Sequence, residues 1–317
     1  MHRLSLFGLH GSTALAARVA ARLGVPLAPH EERNYEEGEH KTRAIGDVRG
    51  HDAFVLHSLF ADNNESGNDK LCRLLFFCGA LKDAGVARVT AVAPYLCYAR
   101  KDRRTKPNDP VITRYVAAMF EAVGVDQVVT VDVHNLAAFE NAFRCQTWNV
   151  EGAPLLAAHF APLLDGQDVV VVAPDAGGAK RADHVRGELE HRFGRHVGSA
   201  YMEKFRSSGT LRGTQLAGDV AGRVAVIVDD MISTGGTLVH AAEACRRAGA
   251  TRVFAAATHG LFAGGAPALF AAGLDGVVVV NTVPPFRVPA DIAARQLTEL
   301  DVSDSIAAVI ATCHAAV

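Results

Sequence analysis

Apolar residues come along this chain in short unbroken runs instead of alternating with polar ones. Val169 to Ala173 reads Val-Val-Val-Val-Ala, Val224 to Val228 reads Val-Ala-Val-Ile-Val, and similar runs lie at Val89–Pro94 and Val128–Val131. A strand that is apolar at every position is buried on both faces, as in a parallel sheet covered by helices. Ala-rich stretches with helical spacing separate the runs, for example Leu238 to Ala248. The pattern predicts an α/β fold of mostly parallel sheets flanked by helices.

The pattern also repeats. Residues 82–93 and 246–257 share an Ala-Gly-x-x-Arg-Val core, residues 124–132 match 273–281, and Asp47-Val-Arg-Gly matches Asp219-Val-Ala-Gly. Three matches in one order argue for a duplicated α/β unit. The copies meet near Trp148–Pro154, where Gly-Ala-Pro starts a new helix, so domains of 1–148 and 149–317 are expected.

Chemistry collects at the carboxyl ends of the apolar runs. After Val228 come Asp229, Asp230, Met231, Ile232, Ser233, Thr234, Gly235, Gly236 and Thr237, then a helix. A small-residue turn feeding a helix N-terminus offers free backbone N–H groups to a phosphate, and two carboxylates beside it suit sugar hydroxyls. An ordinary strand–turn–helix is the plain alternative, but a buried strand rarely ends in two adjacent acids without a partner. The run 169–173 ends in Pro174, Asp175, Ala176, Gly177 and Gly178. There Asp175 suits a metal and the three following amides suit a diphosphate, although a plain turn explains the residues equally well.

Other segments are weaker alone. His134 stands at a strand end, where a lone histidine is usually structural. Tyr98-Ala-Arg-Lys-Asp-Arg-Arg-Thr-Lys106 is the kind of charge run that is usually a solvated loop, but it follows a strand at the edge where ligands of open α/β sheets bind, and its cations suit a polyphosphate such as ATP. Lys204 and Arg206 alternate, share one face of an extended segment and precede Ser-Ser-Gly; they would close over a reacting phosphate, or simply decorate a hairpin. Tyr35, in a loop with Glu36, Glu37 and Glu39, suits stacking on a base, although taken alone a solvated turn explains the loop better. Where the second copy has its phosphate turn, the first has Asp62-Asn-Asn-Glu-Ser-Gly-Asn-Asp69, without the acidic pair or the Thr-Gly-Gly-Thr turn, and it carries an extra polar excursion from Tyr98 to Pro110.

Composition narrows the classes. The chain has 317 residues, 49% hydrophobic and 21% charged, with a formal net charge of −2. No global basic field points to nucleic acid or an anionic membrane. No stretch is long and apolar enough to cross a bilayer. The N-terminus lacks the apolar core of a signal peptide, and the six scattered cysteines form no Cys-x-x-Cys pair, so a cytoplasmic protein with reduced thiols is expected.

Taken in order, these segments resemble the ribose-phosphate diphosphokinase (PRPP synthetase) family, nearly end to end. The resemblance implies two tandem phosphoribosyltransferase-like domains, an ATP side in 1–148 and a ribose 5-phosphate site in 149–317. It implies that Asp229 and Asp230 bind the ribose hydroxyls, that Ser233, Thr234, Gly235, Gly236 and Thr237 bind the 5-phosphate, and that Asp175 to Gly178 form the diphosphate loop. Tyr35, Glu37, Glu39, Arg100, Lys101 and Asp102 would contact ATP, His134 and Asp175 would hold Mg2+, and Lys204 and Arg206 would be catalytic. A homo-oligomer with a shared ATP site is implied as well. The family's Gln and Phe are replaced here by Lys101 and Tyr35, which puts the preferred nucleotide in question. Asp47 stands near Arg49 where phosphate-activated members carry a Ser, so weak or absent phosphate activation and ADP inhibition is expected. A nucleobase phosphoribosyltransferase shares the Asp229–Thr237 loop but needs no duplicated unit. A non-catalytic regulatory homologue shares the fold but would show damaged motifs.

Overall fold

The structure is a computed structural model. It describes residues 2–207 and 210–315, with the backbone alone for 204–207 and 210–214. The chain divides into two compact units, Met1–Val150 with Val302–Val317, and Glu151–Asp301.

In unit 1, β1 (Leu4–Gly8) leads to α1 (Thr13–Leu23) and an antiparallel hairpin of β2 (His30–Asn34) and β3 (His40–Ala44). Then follow β4 (Asp52–Leu56), α2 (Gly67–Asp83), β5 (Arg88–Ala93), α3 (Ile112–Ala122), β6 (Gln127–Val131), α4 (Leu136–Ala142) and β7 (Gln146–Val150). Among the described residues these strands form a parallel five-stranded sheet in the order β1-β4-β5-β6-β7, with the hairpin apart from it. A single bridge, Leu6 to Leu27, shows where the path toward the hairpin still touches β1.

Unit 2 opens with α5 (Ala153–Leu163), started by Pro154 in its first turn, where proline costs no hydrogen bond. It continues through β8 (Val169–Ala173), α6 (Ala179–Phe193), β9 (Gly198–Ser207), β10 (Thr210–Ala217), β11 (Val224–Ile232), α7 (Gly236–Arg247), β12 (Arg252–Gly260), α8 (Pro267–Ala271), β13 (Gly276–Val280), α9 (Ala290–Gln296) and β14 (Leu297–Leu300). The sheet order is β10-β9-β8-β11-β12-β13-β14, parallel except for the β9–β10 hairpin. Alternate residues of β8 and β11 face opposite ways. Val169, Val171, Val224 and Val226 pack with α5 and α6, while Val170, Val172, Ala225 and Ile227 pack with α7 and α8. This is why both strands are apolar at every position.

From β8 the chain crosses to β9 on one side; from β11 it crosses to β12 on the other. The sheet order therefore reverses between β8 and β11, and their carboxyl ends open a crevice of the kind where α/β sheets bind ligands.

The expected second domain ran to residue 317, but α10 (Ser303–Ala315) groups with unit 1. The reason is an uncovered sheet face. Helices α2 and α3 cover one face of the unit 1 sheet, through residues such as Val55, Ala91 and Val128. The residues between them, Phe54, Val92 and Val129, are equally buried but point the other way, toward the side where α1 and α10 pack on each other. Fully buried Asp52 fixes the end of α10. It takes a forked pair of bonds from Arg88 (2.9 and 2.7 Å) and contacts His314 Nδ1 (2.7 Å), while Arg88 also donates to the Cys313 carbonyl (2.6 Å).

Candidate active site

In unit 2 the buried strand β11 delivers both acids to the crevice. Asp230 is buried (4% exposed) and Asp229 half-buried. The Asp229 carboxylate accepts the Asp230 N–H at 2.8 Å, and Arg181 in α6 lies 3.9 Å from Asp230. Burial pushes the Asp229 carboxyl up to about 7, and the neighbouring charges of Asp230 and Asp175 add to the rise. Arg181 was missed in the sequence; a cation in the first turn after the Gly177–Gly178 pair was the available signal.

The turn after β11 has Gly235 in the left-handed region (φ +83°), immediately before α7. A Cβ there would lie 2.9 Å from the Leu269 side chain, so both conformation and space require glycine. No side chain caps the N-terminus of α7, whose first turn carries no acid, and Thr234, Gly236 and Thr237 are exposed. Ser233 is held through its carbonyl, which accepts the Ala263 N–H at 2.9 Å. Uncapped N–H groups at the positive end of a helix are an anion site.

At the end of β8, Asp175 Oδ1 accepts the N–H groups of Gly177 (2.8 Å) and Gly178 (3.0 Å). Two of the three amides expected for a diphosphate are thus bound to the loop's own carboxylate, and a diphosphate would have to displace it. A Cβ at Gly178 would be in ordinary contact with Pro174 and the Val228 carbonyl, so this loop lies beside the base of the acidic pair.

The backbone of Lys204 and Arg206 lies in β9, paired with Thr214 and Leu211 of β10. Their side chains lie outside the described residues.

In unit 1, Arg100, Lys101 and Asp102 follow β5, and His134 follows β6, on the same carboxyl edge. Asp102 Oδ2 accepts the Asn135 side-chain N–H at 2.7 Å, and Asn135 caps α4, so the cationic loop is tied to the residue beside His134. Tyr98 (φ +62°) and Asp132 (φ +40°) adopt left-handed backbone in the two loops. Tyr35, Glu37 and Glu39 occupy the β2–β3 turn, where Tyr35 N–H donates to the Glu39 carbonyl and Arg33 stacks over the Tyr35 ring at 5.0 Å. Among the described residues, no group of three or more His, Cys, Asp or Glu side chains is gathered to hold a metal. None of the helices among them is long and apolar enough to cross a membrane. All six cysteines are free.

Residues 4–124 match the model of the N-terminal domain of ribose phosphate pyrophosphokinase, and residues 210–316 match the phosphoribosyl synthetase-associated domain. Ribose-phosphate pyrophosphokinase 1 of Streptococcus pyogenes is 33% identical over 98% of this chain and 94% of its own length. The chain belongs to the ribose-phosphate pyrophosphokinase family. The Pasteurella multocida ribose-phosphate pyrophosphokinase is 38% identical over 90% of this chain and 88% of its own. The crystal structure of phosphoribosylpyrophosphate synthetase from Mycobacterium smegmatis superposes with a TM-score of 0.90 at 32% identity, covering 99% of this chain and 100% of that one. The α/β fold with helix-flanked parallel sheets is therefore the family's.

Proposed function

We propose that this chain is a ribose-phosphate diphosphokinase, making PRPP and AMP from ATP and ribose 5-phosphate. The observation that carries the reading is the crevice between β8 and β11. There an acidic pair, an uncapped helix end and a glycine turn meet on one family scaffold.

In this reading the turn Ser233–Thr237 takes the 5-phosphate on the α7 amides, and Asp229 and Asp230 accept hydrogen bonds from the ribose hydroxyls. The sugar's 1-hydroxyl attacks the β-phosphorus of ATP; the bond from that phosphorus to the α-phosphate oxygen breaks, and AMP leaves. Positioning and charge neutralisation supply the acceleration. Lys204 and Arg206 neutralise charge on the transferring group, a role worth roughly 10³–10⁵ in rate for comparable cations. Tyr35, Glu37, Glu39, Arg100 and Lys101 contact ATP, with Asp102 acting through its bond to Asn135. Mg2+ favours carboxylate and phosphate oxygens, so Asp175, whose Oδ2 is not among its amide contacts, fits such an ion better than His134 does. When bound, the ion offsets the charge of the phosphates. The working state is a homo-oligomer in the cytoplasm. Asp47 holds the Arg49 N–H at 3.0 Å and places an acid where an effector phosphate would sit, so activation by phosphate and inhibition by ADP are weak or absent.

The test is incubation with ATP, ribose 5-phosphate and Mg2+, following AMP and PRPP. Equimolar products support the reading. No product from a folded oligomer, across several nucleotides, moves the weight to a non-catalytic homologue.

A further inference from the structure

The two units share a register within their sheets. Leu4 pairs with Asp52 at the start of β1 and β4, as Val169 pairs with Val224 at the start of β8 and β11. Counting on from those pairs, His57 and Ser58 stand where Asp229 and Asp230 stand; the loop that follows is longer in unit 1, where α2 starts at Gly67 although the count from Gly236 of α7 gives Asn64, and Asp62 to Glu65 lie in that loop.

Asp62 behaves unlike any residue of the Ser233–Thr237 turn. Its Oδ1 accepts the N–H groups of Asn64 (2.8 Å) and Glu65 (2.9 Å), two amides of the loop before α2. Its Oδ2 lies 2.6 Å from Lys70 Nζ. Lys70 is fully buried, and its ammonium also sits 3.6 Å over the Phe60 ring. Gly11 (φ +77°) brings the end of β1 against the pair; a Cβ there would lie 3.2 Å from Lys70 Nζ and 3.6 Å from Asp62 Oδ2. Two amides and an ammonium converging on one anion are the donor set of a phosphate site. Here a side-chain carboxylate fills it. Burial alone would raise the Asp62 carboxyl, but Lys70 and the two amides outweigh it and hold it below the usual carboxylate range.

We propose that the Asp62 carboxylate is a built-in substitute for a phosphate, sealing a tetrahedral-oxyanion site in unit 1 that its removal reopens. The comparison of the two loops rests on the proposed role of the Ser233–Thr237 turn. The test reads stability, not catalysis, so the two stand or fall separately. The Asp62 side chain is 18% exposed, so trimming it opens a path from solvent to Lys70.

The experiment compares the full-length parent with Asp62→Ala and Asp62→Ala/Lys70→Met. Thermal midpoints are measured in inorganic phosphate and in sodium chloride of matched ionic strength. Asp62→Ala leaves a buried ammonium uncompensated and is expected to melt roughly 5–15 °C below the parent in chloride. Phosphate is expected to return about 3–6 °C of this beyond whatever it gives the parent. Sulfate should act alike, and the excess should vanish in the double variant, which has no ammonium to neutralise. Equal phosphate shifts in parent and Asp62→Ala, or an excess that survives Lys70→Met, overturn the proposal. Should Asp62→Ala not fold in chloride, its refolding yield in phosphate and the midpoint of the milder Asp62→Ser decide. A phosphate-specific gain in either supports the proposal, and a gain in neither overturns it.

Discussion

Two corresponding sheet edges meet different fates in this molecule. At the edge of unit 2, Asp229 and Asp230 lie near the carboxyl end of β11 and the N-terminus of α7 has no side-chain cap. At the corresponding edge of unit 1, His57 and Ser58 take the place of the acids. Burial, with Lys70 and Arg73 nearby, drives His57 well below the ordinary histidine range, so it is neutral. The N-terminus of α2 closes on itself: Ser66 accepts the Asp69 N–H at 3.2 Å, and Asp69 accepts the Ser66 N–H at 2.7 Å. Arg73 binds Asn34 and Glu65, and Lys70 binds Asp62. A site survives where donors and charges are left for a ligand; it is lost where the chain supplies their partners.

The largest expected effect strikes the unit 2 side. Lys204→Ala should lower kcat for PRPP formation by roughly 10³–10⁵ with the circular dichroism spectrum unchanged, and Ser66→Ala in unit 1 should not affect kcat. A loss under tenfold in Lys204→Ala would remove that residue from the catalytic set.

Next comes Gly235→Ala, which forces a left-handed backbone on alanine and sets its methyl against Leu269. A stability loss of about 2–4 kcal/mol in denaturant melts is expected, together with weaker ribose 5-phosphate binding. Retained affinity would show that the turn does not hold the phosphate.

Asp229→Asn sharpens the comparison through pH. The carboxyl titrates near 7 in the fold and near 4 when unfolded, so the folded state holds the extra proton between those values. The parent therefore loses stability as pH rises from about 4 to 7. The variant should gain about 1–2 kcal/mol over the parent above pH 7 without ligand, and nothing below about pH 4. A gain independent of pH would refute the assignment to this carboxyl.

The smallest effect is Ser66→Ala, which removes the α2 cap. A loss of about 1 kcal/mol is expected, read as a shift of a few degrees in thermal midpoint.

How much of this was legible in the chain varies by residue and for physical reasons. Strands buried on both faces declare themselves, since nothing else keeps Val169–Ala173 apolar throughout. The Asp229–Thr237 loop was legible because acids, small residues and a helix start are adjacent in sequence. The return of α10 to unit 1 was not legible, because Ile306 and Ile310 would fit any uncovered sheet face. Asp175 looked like a metal ligand with three amides behind it; only geometry shows its carboxylate already taking two of them. The Asp102–Asn135 bond and the Lys70–Asp62 pair join residues whose partners are chosen by loop conformation, which residue type alone does not fix.

The most direct test of the central contrast is calorimetric titration of ribose 5-phosphate into the parent, Asp229→Asn/Asp230→Asn and Ser66→Ala. One site per chain is expected in the parent, unchanged in Ser66→Ala and weakened by about 100-fold in the acidic-pair variant, as for two lost hydrogen bonds to charged groups. Two sites per chain, or binding that survives the loss of both acids, would contradict the account.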